Sequence, residues 1–441
     1  MSSIVRAAFL MFIMALAALS PAHAKVRIDL SAPGTAPLPI AVPDFFGATP
    51  EAARFGTDLA AVVRSNLENS TPFKVLNTQS YLQTPAQMAA GGPVFADWRG
   101  INADAVVSAE VKPQADGKIR VEIRLFDTQT EQQLYGTALT DSSANWRYIA
   151  HRISDDIYKA LTGEPGYFFT RIVHIGESRG LDGQLLKKLC IMDQDGANYQ
   201  CLTDGTSLVL TPRFNPNLQK VVYMSYASGM PRLYLWDINS GQQTIIGDFE
   251  GLNSTPRFNT KGNKLAMTLT AGHEGNAEIY EMDMATRSLK RLTYQRETDT
   301  SPSYSPDDTK IVFSSDRGGA SALYIMNTDG SGVKRLTYGE GRYYSPAWSP
   351  RGDLIAFIKQ YQGKFNVGVI DPDGNEERIL TDSYMDDNPT WAPNGRVLVF
   401  SRQQTRSDKF RIFTVDLTGY NLRELPTPTN ASDPAWSPLM R

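Results

Sequence analysis

The hexapeptide Ser301-Pro302-Ser303-Tyr304-Ser305-Pro306 decides the fold, because versions of it recur throughout the C-terminal part of the chain. The shared unit is a Ser, Thr, Asn or Asp, followed by Pro, any residue and an aromatic residue. Its six copies begin at Thr211, Thr255, Ser301, Ser345, Asn388 and Asp433. Their prolines, at positions 212, 256, 302, 346, 389 and 434, are 44, 46, 44, 43 and 45 residues apart. A steady period near 44 residues, filled with short strands, is typical of propeller blades.

Each repeat also predicts the strands that follow the hexapeptide. A second proline follows the aromatic residue by two positions in five copies, at Pro216, Pro306, Pro350, Pro393 and Pro438. In the third copy this proline opens a turn into the alternating strand 310–314, and a second apolar strand then ends in Asn327. A Leu-Thr pair comes next, as at Leu336-Thr337. We therefore expect four antiparallel strands in every blade.

The count of strands predicts how the ring closes. Three strands between Phe168 and Thr203 lack a proline-led strand before them, whereas the sequence ends just after the sixth proline-led strand. The missing strand is therefore expected to come from the C-terminus. Residues 167–441 are predicted to form an all-β six-bladed β-propeller closed by the C-terminal strand, an arrangement that leaves no free sheet edge.

Residues 25–163 have a different pattern, which predicts a small α/β domain. Thr49-Pro50 is a helix-start signal, and apolar residues recur at helical spacing from Phe55 to Leu67 and from Trp146 to Leu161. Segments 104–111 and 118–126 are predicted strands. The segment Gly163-Glu164-Pro165-Gly166 holds both helix-breaking residue types and is the expected linker to the propeller.

The first 24 residues have the pattern of a cleaved signal peptide. Arg6 precedes the apolar run Ala7–Leu19, and the small-residue site Ala22-His23-Ala24 follows it. The alternative is a membrane anchor, but 13 apolar residues span only about 20 Å of a hydrocarbon core roughly 30 Å thick. The mature chain is expected to start at Lys25 and to contain no transmembrane segment.

Composition excludes several classes of protein. The chain has 441 residues, with 44 Lys and Arg against 47 Asp and Glu and a formal charge of −3, so no basic surface indicates nucleic-acid binding. Two cysteines are too few for a disulfide-dense scaffold or a four-cysteine zinc site.

If Asp195-Gly196 forms a two-residue turn, Cys190 and Cys201 lie opposite each other across the hairpin. This register predicts a disulfide, with two buried free thiols as the alternative.

Motifs for catalysis are weak. Gly176-Glu177-Ser178-Arg179-Gly180 matches the G-x-S-x-G pattern of hydrolases, but His273 is the one histidine that follows Ser178, and it lies in a glycine-rich loop of a predicted blade. Ser331 and Lys334 match S-x-x-K in a repeat turn, and Asp193-Gln194-Asp195-Gly196 is better explained as a hairpin turn than as a calcium loop. The histidines lack metal-ligand spacing. These motifs indicate neither catalytic residues nor a metal site, and a propeller-based periplasmic hydrolase remains the alternative.

The complete order of parts resembles the TolB family of the Tol-Pal system. The most telling local features are Gly163-Glu164, the segment Phe169-Thr170-Arg171-Ile172 and the closing Pro434-Ala435-Trp436-Ser437-Pro438. The resemblance runs from the predicted mature N-terminus to Arg441. It implies a periplasmic, monomeric binding protein rather than an enzyme. The implied role is to link the inner-membrane TolA complex to the outer-membrane lipoprotein Pal, which supports outer-membrane invagination in cell division and envelope integrity.

The resemblance assigns one partner to the N-terminal segment 25–36. This segment binds TolA in the family, through residues that would here be Lys25, Val26, Arg27, Ile28, Asp29 and Leu30. Their alternation of apolar and polar side chains suits a strand that adds to the edge of a partner's sheet. The alternative is an internal strand of the α/β domain.

The resemblance assigns Pal, and other outer-membrane lipoproteins, to one mouth of the propeller channel. The contacts are expected in loops that precede the proline-led strands, at Leu252, Asn253, Ser254, Thr298, Asp299, Thr300, Arg342, Tyr343, Tyr344, Asp386, Asp387, Asn388, Ser432 and Asp433. No cofactor is implied except calcium, which channels of the family can hold. Its expected ligands are Asp299, Asp386, Asp387 and Asp433, and solvated loop charges are the alternative explanation for these aspartates.

Overall fold

The computed structural model describes residues 28, 36–180, 183–217, 219–249, 251, 253–270 and 275–440. These residues fall into two compact units, Met1–Glu164 and Pro165–Arg441. The predicted signal peptide lies outside the described residues, and so does the predicted TolA-binding segment except for Ile28 and Ala36.

The first unit is built on one mixed sheet. Its strands are β1 (Leu38–Ala41), β2 (Phe46–Gly47), β3 (Phe73–Val75), β4 (Ala105–Pro113), β5 (Lys118–Asp127) and β6 (Gln133–Ser142). The strand order is β3-β1-β4-β5-β6, with β2 paired to β4. The pairs around β1 are parallel, whereas β4, β5 and β6 form an antiparallel meander.

Within the described residues of this unit, four helices accompany the sheet. They are α1 (Pro50–Glu68), α2 (Pro85–Gly91), α3 (Phe95–Gly100) and α4 (Trp146–Thr162), with 3₁₀ turns at Thr78–Ser80 and Ser143–Asn145. Helix α1 begins where the Thr49 hydroxyl accepts a hydrogen bond from the Ala52 amide at 3.2 Å. Helix α4 ends at Gly163, whose φ of 80° suits glycine. Both long helices are found where the helix-start signal and the apolar periodicity predict them. The predicted α/β domain is thus confirmed.

The second unit consists of short strands grouped in sheets of four. They are β7 (Arg171–Arg179), β8 (Leu185–Asp193), β9 (Gln200–Cys201), β10 (Val209–Phe214), β11 (Lys220–Ser225), β12 (Arg232–Asp237), β13 (Gln243–Gly247), β14 (Asn253–Phe258), β15 (Lys264–Leu269), β16 (Glu278–Asp283), β17 (Leu289–Arg291), β18 (Asp299–Tyr304), β19 (Lys310–Ser315), β20 (Ala322–Asn327), β21 (Lys334–Arg335), β22 (Arg342–Trp348), β23 (Ile355–Tyr361), β24 (Lys364–Ile370), β25 (Arg378–Ile379), β26 (Met385–Trp391), β27 (Val397–Gln403), β28 (Arg411–Asp416), β29 (Arg423–Glu424) and β30 (Asn430–Trp436).

The strand order within these sheets is that of propeller blades. Four sheets are β30-β7-β8-β9, β10-β11-β12-β13, β14-β15-β16-β17 and β18-β19-β20-β21. The remaining two blades, β22–β25 and β26–β29, are joined into one sheet by a single parallel pair between Phe365 and Met385. In each blade the proline-led strand is the first and innermost, as the repeat predicts.

The C-terminal strand completes the first blade. Strand β30 pairs antiparallel with β7, with Ala435 opposite Val173 and Trp436 opposite Ile172. The Trp436 indole Nε1 donates to the Thr170 hydroxyl at 2.7 Å, and the Arg171 amide donates to the Ser437 hydroxyl at 2.8 Å. The ring is thus closed by the C-terminal strand, as the strand count predicts.

The repeated Leu-Thr pair fixes the outermost strand of a blade. The threonine hydroxyl accepts a hydrogen bond from a backbone amide of the neighbouring strand, at 2.9 Å in each of four blades. The pairs are Thr203 with Leu189, Thr293 with Ile279, Thr337 with Leu323 and Thr381 with Val367. In the first blade, Cys190 and Cys201 stand opposite each other in the β8–β9 register and are joined in a disulfide.

The first residue of each proline-led motif has a left-handed backbone. The φ angles are 50° at Thr211, 47° at Thr255, 56° at Ser301, 49° at Ser345, 52° at Asn388 and 52° at Asp433. At the same six places the register of the inner strand shifts against its neighbour. The inner strand therefore begins before the proline, and most of the predicted contact loops are in fact the first residues of these strands.

Candidate binding surfaces of the propeller channel

The six inner strands give the channel two chemically different mouths. Each inner strand is the first strand of its four-stranded antiparallel blade. All six inner strands therefore run along the channel in the same direction. Their first residues surround one mouth, which we call the polar mouth and define by residues 298–300, 342–344, 386–388 and 432–433. Their last residues surround the other, the aromatic mouth, defined by Phe214, Phe258, Tyr304, Trp348, Trp391 and Trp436.

A cavity at the polar mouth gathers four of the predicted partner contacts. Its volume is about 290 Å³, and Thr298, Thr300, Arg342 and Tyr344 all line it. Thr298 and Arg342 are exposed, whereas Thr300 and Tyr344 are half-buried. The lining combines hydroxyls, a cation and an aromatic ring, and Arg and Tyr are among the residues enriched at the energetic centres of protein interfaces.

Two of the predicted contact residues are held inside the blades by arginines that sequence reasoning missed. Arg402 donates two hydrogen bonds to Asp386, at 2.7 and 2.9 Å, and both side chains are almost completely buried. Arg317 reaches Asp299 at 2.6 Å, and burial raises the pKa of Asp299 despite this ion pair. These aspartates stabilise their blades and do not offer a surface to a partner.

Tyr343 is a third predicted contact that lies inside the protein. It is 1% exposed, and its hydroxyl donates to the Glu377 carboxylate at 2.8 Å. Lys359 pairs with the same carboxylate at 2.6 Å. The alternation of a strand explains the difference, because Arg342 and Tyr344 point away from the side that buries Tyr343.

Deeper in the channel, Asp387, Asn388 and Asp433 form a polar cluster. The Asn388 amide group donates to the Asp433 carboxylate, and the Asn388 backbone amide donates to Asp387 at 2.7 Å. Burial, followed by repulsion from Asp433, raises the pKa of Asp387 to about 6. Burial also raises the pKa of Asp433, although Arg213 opposes this shift.

The four aspartates expected to bind calcium are not brought together as one ligand set. Asp299 and Asp386 are engaged by Arg317 and Arg402, as described above. Of the four, only Asp387 and Asp433 lie in the channel cluster. The amide oxygen of Asn388 is a further possible metal ligand there. Calcium prefers six to eight oxygen ligands, so the described residues fit this ion only in part.

The remaining predicted contacts are less well defined. Leu252 and the side chain of Asn253 lie outside the described residues. Ser254 is partly buried near the start of β14, and Ser432 is partly buried in β30. They add no further charge to the polar mouth.

The sequence matches to catalytic motifs do not form catalytic sites. Ser178 lies within strand β7, opposite Leu186, whereas the nucleophile elbow requires a sharp turn between a strand and a helix. Ser331 is in a turn, where its hydroxyl donates to Asp329 at 2.6 Å. His174 is fully buried, and burial lowers its pKa to about 4. His273 lies outside the described residues.

Ile28 shows a contact between the N-terminal segment and the α/β unit. It is 6% exposed, and its backbone amide donates to the carbonyl oxygen of Leu161, in helix α4, at 2.8 Å. The segment is therefore attached to the α/β unit at this residue.

These features together define a class of protein. They define a β-propeller protein with a preceding α/β unit, in which the two mouths of the channel are the candidate binding surfaces. No helix of the described residues has both the length and the apolar character that a membrane crossing requires.

Comparison with known proteins gives the family. The TolB amino-terminal domain matches residues 26–134, and the TolB beta propeller domain matches residues 158–440. The chain is 48% identical over 440 residues to the Tol-Pal system protein TolB of Paramagnetospirillum magneticum, covering 98% of each sequence. The crystal structure of TolB from Acinetobacter baumannii superposes with a TM-score of 0.81 at 30% identity, over 92% of this chain and 98% of that one. The chain therefore belongs to the TolB family of the Tol-Pal system.

Proposed function

We propose that this chain is a periplasmic, non-enzymatic binding protein that links the inner-membrane TolA complex to the outer-membrane lipoprotein Pal. The observation that carries the proposal is the 48% identity to a Tol-Pal system protein over 98% of both chains. In this role the protein supports outer-membrane invagination during cell division and the integrity of the envelope. It acts as a monomer.

Pal binds at the polar mouth. The cavity of about 290 Å³ offers Arg342 and Tyr344 on one side and Thr298 and Thr300 on the other. A protein loop that enters this cavity gains aromatic contact with Tyr344 and charge-assisted hydrogen bonds from Arg342. Asp299, Tyr343 and Asp386 support the mouth from inside the blades without touching the partner.

The test is calorimetric titration of the mature protein with the soluble domain of Pal. Replacing Tyr344 and Arg342 together by Ala is expected to weaken binding at least tenfold, since both are central to the cavity. Tyr420→Ala is the matched control, because Tyr420 is 71% exposed and lies in the turn between β28 and β29, outside the cavity. Unchanged affinity of the double variant, or no binding by the unaltered protein, contradicts the proposal.

TolA binds the N-terminal segment 25–36. Because the Ile28 amide is bonded to Leu161 in the described structure, TolA has to compete with this internal contact. Deleting residues 25–36 is expected to abolish TolA binding while the circular dichroism spectrum is retained. Ile28→Asp opposes burial of this side chain and also changes a predicted TolA contact, so it is expected to weaken TolA binding less than the deletion does. If the deletion variant binds TolA as well as the full chain does, the segment is not the TolA site.

A further inference from the structure

The aromatic mouth encloses a second cavity that the proposed function does not use. Its volume is about 310 Å³, and the aromatic residue of every inner strand lines it. This volume falls at the lower end of the range for small-molecule sites. The second proline of the motif adds to the wall in five of the six blades, at positions 216, 306, 350, 393 and 438.

Two arginines interrupt this apolar lining on one side. They occupy the variable position of the motif in two successive repeats, at Arg213 and Arg257, where the other four repeats have Ser303, Ala347, Thr390 and Ala435. All six of these residues line the cavity. The cationic groups are therefore confined to one side of an otherwise small-residue and aromatic chamber.

Arg213 is buried without full hydrogen bonding. Arg213 is 5% exposed, its Nη1 donates to the Pro212 carbonyl at 2.6 Å, and its Nε has no hydrogen-bond partner among the described residues. Arg257 Nη1 donates to the Pro256 carbonyl at 3.1 Å, and this side chain is partly accessible. A buried guanidinium with an unused donor is costly unless an acceptor arrives.

The electrostatics of the pair favour an anion. Burial lowers the pKa of Arg213 to about 10, partly offset by Asp433 and Asp387. Burial and the neighbouring charge of Arg213 lower the pKa of Arg257 well below its ordinary value. Asp387 and Asp433 thus balance the charges of these two arginines only in part. An anion bound between the two guanidinium groups stabilises the charged form of each arginine.

We propose that the aromatic mouth binds a small organic carboxylate with a flat apolar body. The carboxylate accepts hydrogen bonds from the unpaired Nε of Arg213 and from the guanidinium of Arg257, whose planar geometry suits a carboxylate. The apolar body packs against the aromatic ring of the mouth, where offset or edge contacts are favourable. The residues that line this cavity differ from those that line the cavity at the polar mouth.

The test uses 2-naphthoate and its neutral analogue 2-naphthamide as probes. Three tryptophans, Trp348, Trp391 and Trp436, line the cavity, so binding is followed by tryptophan fluorescence and by calorimetry. Saturable binding of the acid is expected, with the amide at least tenfold weaker because it carries no charge. Arg213→Met and Arg257→Met are each expected to weaken binding of the acid at least tenfold, the effect of losing a charge-assisted hydrogen bond.

Two further variants keep the test decisive. Arg342→Met removes an arginine from the polar mouth and is expected to leave naphthoate binding unchanged. Arg213→Lys keeps the charge but loses the fork of donors, so it is expected to bind with intermediate affinity and serves if Arg213→Met does not fold, as judged by thermal unfolding. Equal binding of acid and amide, unaltered binding by folded arginine variants, or no saturable binding overturns the proposal.

Discussion

The two mouths of the channel are built from opposite ends of the same six strands, yet their side chains follow different rules. At the aromatic mouth the same residue class returns in every repeat, from Phe214 to Trp436. At the polar mouth the corresponding residues differ from blade to blade, as Thr300, Tyr344 and Asp387 show. The repeated end has the same place in the packing of every blade, whereas the varied end has no residue type common to all blades.

The largest effect is expected from breaking an ion pair beneath the polar mouth. Asp386→Ala leaves Arg402, which is 1% exposed, without its buried counter-charge. A loss of about 3–5 kcal/mol in unfolding free energy is expected, measured by urea denaturation. Asp382→Ala is the control, because Asp382 is 78% exposed where it pairs with Lys364, and an exposed pair contributes little. Equal effects of the two changes would mean that the buried pair does not support this mouth.

A smaller effect, dependent on pH, is expected from the channel cluster. The pKa of Asp387 is raised to about 6 from the ordinary 3.8, so the folded protein binds more protons than the unfolded chain between these values. The contribution of Asp387 to the unfolding free energy is therefore present at low pH and is lost as pH rises through about 6. Asp387→Asn is expected to raise the unfolding free energy by about 2 kcal/mol at pH 7 and to change it little at pH 4.

The control for this prediction is Asp373→Asn, which alters an exposed carboxyl in the turn between β24 and β25. It is expected to give the same small change at both pH values. An Asp387→Asn variant that is less stable than the unaltered protein at pH 7 contradicts the assigned burial cost.

The smallest effect concerns the aromatic mouth. The Trp391 indole donates to the Ala347 carbonyl at 2.9 Å and is 8% exposed, whereas the Trp348 indole reaches the Gly352 carbonyl at only 3.4 Å. Trp391→Phe is expected to cost about 1 kcal/mol of unfolding free energy, more than Trp348→Phe, because it removes the shorter and more buried of the two hydrogen bonds. Denaturation curves of the two variants, measured side by side, decide this. A larger loss for Trp348→Phe would show that hydrogen bonding does not distinguish the two positions.

The periodicity of the sequence predicts the propeller because each proline-led motif is a local signal. The spacing of the prolines identifies the six inner strands, and the lack of such a strand before Phe168 predicts that β30 pairs with β7. Pairing of Cys190 with Cys201 likewise follows from counting residues across one hairpin. Such features depend on neighbours in sequence and on repetition, which a single chain displays directly.

The details of the channel depend on contacts between distant residues and could not be predicted in this way. Arg402 lies 16 residues from Asp386, and nothing in the motif indicates that the two pair. The left-handed backbone before each proline was also missed, which is why strand residues were expected to be loops. One signal was visible: arginine follows proline in two successive repeats, at Arg213 and Arg257.

The closure of the ring by β30 has a consequence for the time course of folding. The innermost strand of the first blade spans Asn430–Trp436, while its partner β7 spans Arg171–Arg179. During synthesis the blades emerge in order, but the ring cannot close until residue 436 has been added. Until then β7 presents an unpaired edge. A chain whose synthesis is delayed would therefore expose this edge to proteases until β30 pairs with β7.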